Sequence, residues 1–275
     1  MQKLKIKNQK LKVKMQNEKI AMMTPIFNCV SSAAICLILF TFSFLLISSC
    51  KSDKENLVFT GANEYFPLQT GKYLTYQTDS LVWISFGTRD TTISYLVKYE
   101  VDAMITDNYG RPAYRVFRYI RKNATQSWLP QGTCMAIHTG NTIEWVENNL
   151  RYVKLTTPVE EGRSWKGNSY IDTYSANSDL HYMDNWDFTY QMVGASYNTG
   201  TLNFENTVTV QQRDEVVGLP DNPDSYSEIN FSQEKYALGI GLIYRQFNHK
   251  EYQPNNGGYV AEGSYGITMR LIDHN

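Results

Sequence analysis

Hydrophobic and polar positions alternate along most of the chain after residue 64. Between Thr91 and Ile105, the apolar side chains Ile93, Tyr95, Val97, Tyr99 and Val101 occupy five successive odd positions. A half-buried antiparallel strand has that period of two, whereas a helix would scatter the same residues around its axis. Lys72–Phe86 sets Tyr73, Tyr76 and Trp83 among Thr and Val, which is strand composition. Ala113–Ile120 puts Tyr114, Val116 and Arg118 on one face and Arg115, Phe117 and Tyr119 on the other. Short strands are predicted at Met135–His138, Thr142–Val146 and Leu150–Leu155, separated by the hairpin residues Thr139-Gly140-Asn141 and Asn148-Asn149.

The polar stretch Ser175–Asp184 reads as a loop with one helical turn near Leu180–Met183. Strands resume at Trp186–Gly194, Thr201–Arg213, Glu228–Tyr236, Gly241–Tyr252 and Gly263–Ile272. No ten-residue window carries an amphipathic helical period. The prediction is an all-β domain over 65–275, an antiparallel meander of about 10–12 strands forming a barrel, half-barrel or sandwich. A barrel has the advantage of leaving no exposed edge. Pro158–Trp165 repeats the layout of Phe66–Tyr73, with a proline, a glycine four residues on, a basic residue and then an aromatic. That layout suits two half-domain repeats, 65–157 and 158–275.

The N-terminal part has a different pattern. Seven lysines and one acid, Glu18, precede an apolar run from Phe27 that ends in Ile47-Ser48-Ser49-Cys50. That tetrapeptide resembles the bacterial lipobox. The resemblance implies that residues 1–49 are a signal peptide and that Cys50 is diacylated and becomes the new N-terminus, with 50–64 as a tether. The apolar run is also long enough to cross a bilayer core of roughly 30 Å, so an uncleaved anchor is the alternative. Lys51 stands where an aspartate would favour inner-membrane retention, so the expected address is the outer membrane. Lys51–Glu55 resembles the charged signals that send Bacteroidota lipoproteins to the cell surface, and the leaflet stays open.

Beyond Cys50 the chain carries 19 basic and 26 acidic side chains, so the exported part is acidic. Such a surface repels nucleic acid, and no nucleic-acid partner is expected. Cys134 is the single cysteine left after Cys50 is lipidated, which rules out an internal disulfide and leaves stability to the core.

Candidate chemistry is sparse. His138, His181, His249 and His274 include no pair at metal-ligand spacing, so neither a metal nor a cofactor is expected. Gly162–Lys166 and Gly194–Asn198 lack the second glycine of a nucleophile elbow. Gly239-Ile240-Gly241 reads as a bulge and Asp221–Ser225 as a turn rather than a calcium loop. Asp184 and Asp187 would serve as an acid–base pair only at a suitable separation in space. Cys134 has no basic neighbour in sequence and reads as buried and inert. Asp79-Ser80-Leu81 and Asp90-Thr91-Thr92 resemble Bacteroidota O-glycosylation sites, with Ser80 and Thr91 as the acceptors.

Aromatic residues are the one positive signal, because all 20 tyrosines follow residue 64. Trp83, Trp145, Trp165 and Trp186 are the candidate stacking residues for a ligand, either a hydrophobic small molecule or a glycan, and ordinary core is the competing reading. Tyr236–Tyr244 and Gly263–Asn275 resemble the C-terminal part of a family of Bacteroidota outer-membrane lipoproteins with no assigned reaction, a likeness running from about Tyr65 to the end. The lipobox resemblance implies a membrane partner through the lipid anchor, and the motifs name no catalytic residue. The expectation is a non-enzymatic binding or structural component of the envelope. The alternative is a surface glycan binder or a glycosidase-like enzyme.

Overall fold

A computed structural model describes residues 60–175 and 177–275, so Cys50 and the signal segment lie outside the described residues. Val58–Asn275 is one compact unit. Its three hydrophobic clusters draw on its own residues, which gives it a core sufficient to fold alone.

The strands are β1 (Tyr73–Ile84), β2 (Arg89–Thr106), β3 (Pro112–Arg121), β4 (Leu129–His138), β5 (Thr142–Glu147), β6 (Leu150–Thr156), β7 (Ser164–Trp165), β8 (Phe188–Asn198), β9 (Asn203–Gly218), β10 (Ser227–Ala237), β11 (Gly241–Gln253), β12 (Tyr259–Val260) and β13 (Tyr265–His274). They form one antiparallel sheet of 13 strands in the order β6-β5-β4-β3-β2-β1-β13-β11-β10-β9-β8-β7, with β12 beside β11, curled into a nearly closed barrel. Two meanders thus run away from the β1–β13 pair and meet on the far side.

One backbone bond and two side chains complete that meeting. The Val153 N–H of β6 donates to the Gly167 carbonyl at 2.7 Å, and the Trp165 indole N–H donates to the Val153 carbonyl at 2.8 Å. The buried Tyr190 hydroxyl accepts from the Thr156 N–H and donates to the Thr156 carbonyl, both at 2.8 Å. Backbone groups that would otherwise be edge donors and acceptors are therefore satisfied.

The alternation in β2 is followed where the barrel encloses it. Val97 is fully buried and Val101 nearly so, while Ile93 is 52% exposed near the β1–β2 turn. β4 and β9 run further than their apolar pattern predicts. Leu129, at the start of β4, is exposed, and pairing with Ile120 of β3 extends the strand without burial. β7 and β12, of two residues each, are too short to leave a periodic signal.

Gly71 and Gly162, the glycines of the repeated layout, share one conformation, with φ of 87° and 79°. The Gly71 N–H donates to Val101, whose N–H donates back to the Lys72 carbonyl; the Gly162 N–H donates to Tyr190, whose N–H donates back to Arg163. The same two-bond exchange thus leads the chain into β1 and β7.

The folded unit begins earlier than residue 65. A single helical turn, Ala62–Glu64, and the following Tyr65–Leu68 form a strap across one end of the barrel. Ala62 is fully buried with its N–H on Thr157 Oγ1, the Val159 N–H bonds the Thr60 carbonyl, and the Gly239 N–H bonds the Glu64 carbonyl at 2.7 Å. Those contacts tie residues assigned to the tether into the fold, and small side chains such as Gly61 and Ala62 give no periodicity to announce it. By the antiparallel register, the β2–β3, β4–β5, β8–β9 and β10–β11 turns lie at this strapped end.

Candidate functional site

The interior faces of β1, β2, β5, β10, β11 and β13 leave a cavity of about 80 Å³ behind the strap. Its mouth is apolar, formed by Phe66, Pro67, Leu68, Leu74, Val101 and Ile240. Phe66 hangs from the strap over Trp145 and Tyr236, with ring centroids 6.0 and 6.1 Å away. Tyr99 packs edge-on to Trp145 at 5.6 Å and to Tyr76 at 6.1 Å.

Below this aromatic layer the floor is charged. Along β10, Glu234 lies one inward-facing position deeper than Tyr236, and its carboxylate is 1% exposed. Lys154 Nζ donates to Glu234 Oε1 at 2.6 Å, the Tyr236 hydroxyl to Oε2 at 2.6 Å, and Gln212 Nε2 to Oε2 at 2.9 Å. Glu147 accepts from the Tyr99 hydroxyl and the Trp145 indole N–H, each at 3.2 Å. Arg118 stands 3.7 Å from Glu147 and Arg245 3.7 Å from Glu234. Arg245 is enclosed by the barrel yet keeps 26% of its side-chain surface accessible, because it faces the cavity.

Desolvation works against both carboxylates. For Glu234 the neighbouring Lys154 and Arg245 outweigh it, for Glu147 Arg245 and the Trp145 N–H do, and both pKa values end below the ordinary range. Burial lowers the Lys154 pKa, with Glu234 opposing. Desolvation also opposes the Arg245 charge, but Glu234 and Glu147 more than offset it.

The opposite end is acidic. Asp184, Glu215, Glu228, Glu251 and Glu262 surround an open cleft in which the His249 ring stacks on Tyr182 at 3.8 Å and bonds Asn230 at 2.7 Å. Desolvation holds the His249 pKa below its usual 6.5. Among the described residues no group of three or more His, Cys, Asp or Glu side chains is arranged to hold a metal ion.

The four candidate tryptophans are separated. Trp145 lines the cavity, Trp165 packs on Tyr190 at 4.6 Å, Trp186 is 1% exposed in the core, and Trp83 is half-buried on β1 opposite Asp90. Ser80 Oγ lies 2.8 Å from the Tyr95 hydroxyl, and Thr91 of β2 pairs with Val82 of β1. Asp184 accepts from Thr173 while Asp187 pairs with Lys166 at 3.0 Å, and they face different clefts. Asp221–Ser225 is folded on itself by the Asp224 N–H to Asn222 bond. Cys134 is buried against the barrel interior, and burial pushes its thiol pKa well up.

Sequence reasoning missed the charged floor. The signal was present, because Arg118 shares a face with Tyr114 and Val116, and Glu234 shares one with Ser232 and Tyr236. A charge in the inward phase of a strand marks a polar interior.

Fold and cavity together define a nearly closed antiparallel barrel with an apolar mouth over a charged floor. The sequence matches no protein-family model and no curated protein. Solved structures similar to it include two from Bacteroidota. One, from Bacteroides fragilis, is described as an exported protein with a YmcC-like fold; it is 11% identical, with 76% of this chain and 97% of that one covered at a TM-score of 0.37. The other, from Parabacteroides distasonis, is described as a lipoprotein; it is 12% identical, with 77% and 98% covered at a TM-score of 0.34.

Proposed function

We propose that this protein is a lipid-anchored outer-membrane binding protein that holds the apolar part of a small molecule behind the Ala62–Leu68 strap and does not transform it. The observation that carries the reading is the cavity itself, an unfilled space with an apolar mouth inside an otherwise packed barrel. The anchor rests on Ile47-Ser48-Ser49-Cys50. About ten residues separate Cys50 from Thr60, a reach of ~35 Å when extended, and Thr60 bonds Val159 at the strapped end. The mouth therefore works within a short distance of the bilayer, where hydrophobic molecules are concentrated.

Titration of the Val58–Asn275 unit with 1-decanol, followed by tryptophan emission, tests the binding. A saturable change that disappears in Trp145→Phe is expected, and the bound alcohol should be recovered chemically unchanged by mass spectrometry. A flat titration overturns the binding reading. Intact mass of membrane-extracted protein, with Cys50→Ala as control, tests the anchor. An unprocessed chain overturns that part alone.

A further inference from the structure

Charge is unequal in the cluster at and just behind the cavity floor. Lys154 and Glu234, 2.6 Å apart, are neutral as a unit. Of the remaining charges, Arg245 and Glu147 line the cavity, and Arg118 stands 3.7 Å from Glu147 outside the lining, so two guanidinium groups share one further carboxylate. The Nε atoms of both arginines are buried without a hydrogen-bond partner. Their carboxylate contacts, at 3.7 Å each, are ion-pair distances too long for hydrogen bonds. A guanidinium Nε buried without an acceptor is costly, and a bound anion that accepts from it lowers that cost.

We infer that the ligand is an amphipathic monocarboxylate that enters head first, placing its carboxylate on Arg245 and leaving its apolar body at the mouth among Phe66, Leu68, Leu74 and Ile240. This rests on the hydrophobe-binding reading and adds the head group to it. Order of depth fixes the orientation, since the apolar residues line the mouth and the charges lie beneath the Tyr76, Tyr99 and Tyr236 layer. Size fits as well. About 80 Å³ is the share of roughly two to three water molecules in the liquid, room for a carboxylate and its first few carbons. A guanidinium fork matches a carboxylate through two parallel hydrogen bonds. Lys72, whose ammonium bonds the Gly239 carbonyl at 3.3 Å on the rim, adds positive potential along the ligand's way in.

Calorimetric titration of the Val58–Asn275 unit with decanoate, 1-decanol and decyltrimethylammonium at neutral pH separates the head group from the tail. Decanoate is expected to bind at least about tenfold more tightly than the alcohol, with the cation weakest. Arg245→Met should abolish the preference for decanoate over the alcohol. Equal affinities for decanoate and 1-decanol in the wild-type unit overturn the head-group inference while hydrophobe binding stands. Absence of binding by all three overturns the hydrophobe reading and the inference with it. The wild-type comparison decides even if Arg245→Met does not fold.

Discussion

Lys154 on β6 and Glu234 on β10 meet inside the barrel with Nζ and Oε1 2.6 Å apart, although 80 residues separate them in sequence. Each comes from one of the two meanders, so the pair ties the two meanders together across the barrel interior. Removing one partner strands a charge that is almost wholly buried. Glu234→Leu should therefore cost about 3–5 kcal/mol in urea unfolding of the Val58–Asn275 unit. Lys154→Met combined with Glu234→Leu should recover part of that loss, because Lys154 is no longer a stranded charge while Tyr236, Gln212 and Arg245 still lack the Glu234 acceptor. A double variant as unstable as the sum of the single ones would show that the pair is not coupled.

Acid should weaken the barrel through the same floor. Glu234 and Glu147 titrate below their ordinary range in the folded state, despite desolvation, because Lys154 and Arg245 favour their charged forms. The unfolded chain then binds protons at a higher pH than the folded one. The stability these groups supply is complete above the unfolded glutamate value near ~4.3 and is lost as the pH falls through the lower folded values. Denaturation midpoints should hold steady down to about pH 5 and decline below it. Glu147→Gln should flatten the decline, and a slope unchanged from wild type would remove Glu147 from the account.

The closure can be probed at Tyr190. Its hydroxyl bonds both backbone groups of Thr156 and is kept protonated by burial, which raises its pKa. Tyr190→Phe keeps the ring packing on Trp165 but leaves a buried N–H and C=O without partners. We expect a loss of about 1–3 kcal/mol and faster hydrogen exchange at the Thr156 amide. Tyr95→Phe, which removes a hydroxyl bonded to Ser80 alone in a half-buried setting, should cost less. Equal losses would mean that the seam is no more dependent on side chains than the rest of the sheet.

What the sequence disclosed, and what it withheld, follows from the physics of strands. Alternation along Thr91–Ile105 and the Gly and Asn turn residues were enough to predict an antiparallel meander, because period and turn chemistry are local. Closure was not local. It depends on Trp165 and Tyr190 reaching Val153 and Thr156, and nothing in either segment names its partner. The cavity was hidden for a related reason. Trp145 was singled out with three other tryptophans that pack elsewhere, while Arg118 and Arg245 sit in stretches that read as ordinary strands. Residues 60–64 looked like tether because a strap held by backbone hydrogen bonds carries no hydrophobic period.

The repeated layout was legible, and it makes a paired prediction. Gly71 and Gly162 both lie in the left-handed region, with nothing within 4 Å of where a Cβ would stand. Substitution therefore meets no clash, and its cost comes from backbone conformation alone. Gly71→Ala and Gly162→Ala should each destabilise the unit by about 1–2 kcal/mol. The two losses should agree within about 0.5 kcal/mol, because the same two-bond exchange with the neighbouring strand, at Val101 and at Tyr190, holds each glycine in place. Asparagine tolerates this region better than alanine, so Gly71→Asn and Gly162→Asn should lose less. Urea unfolding of the four variants decides the matter. A large loss at one position beside none at the other would mean that the turns leading into β1 and β7 are alike in outline but not in what they hold together.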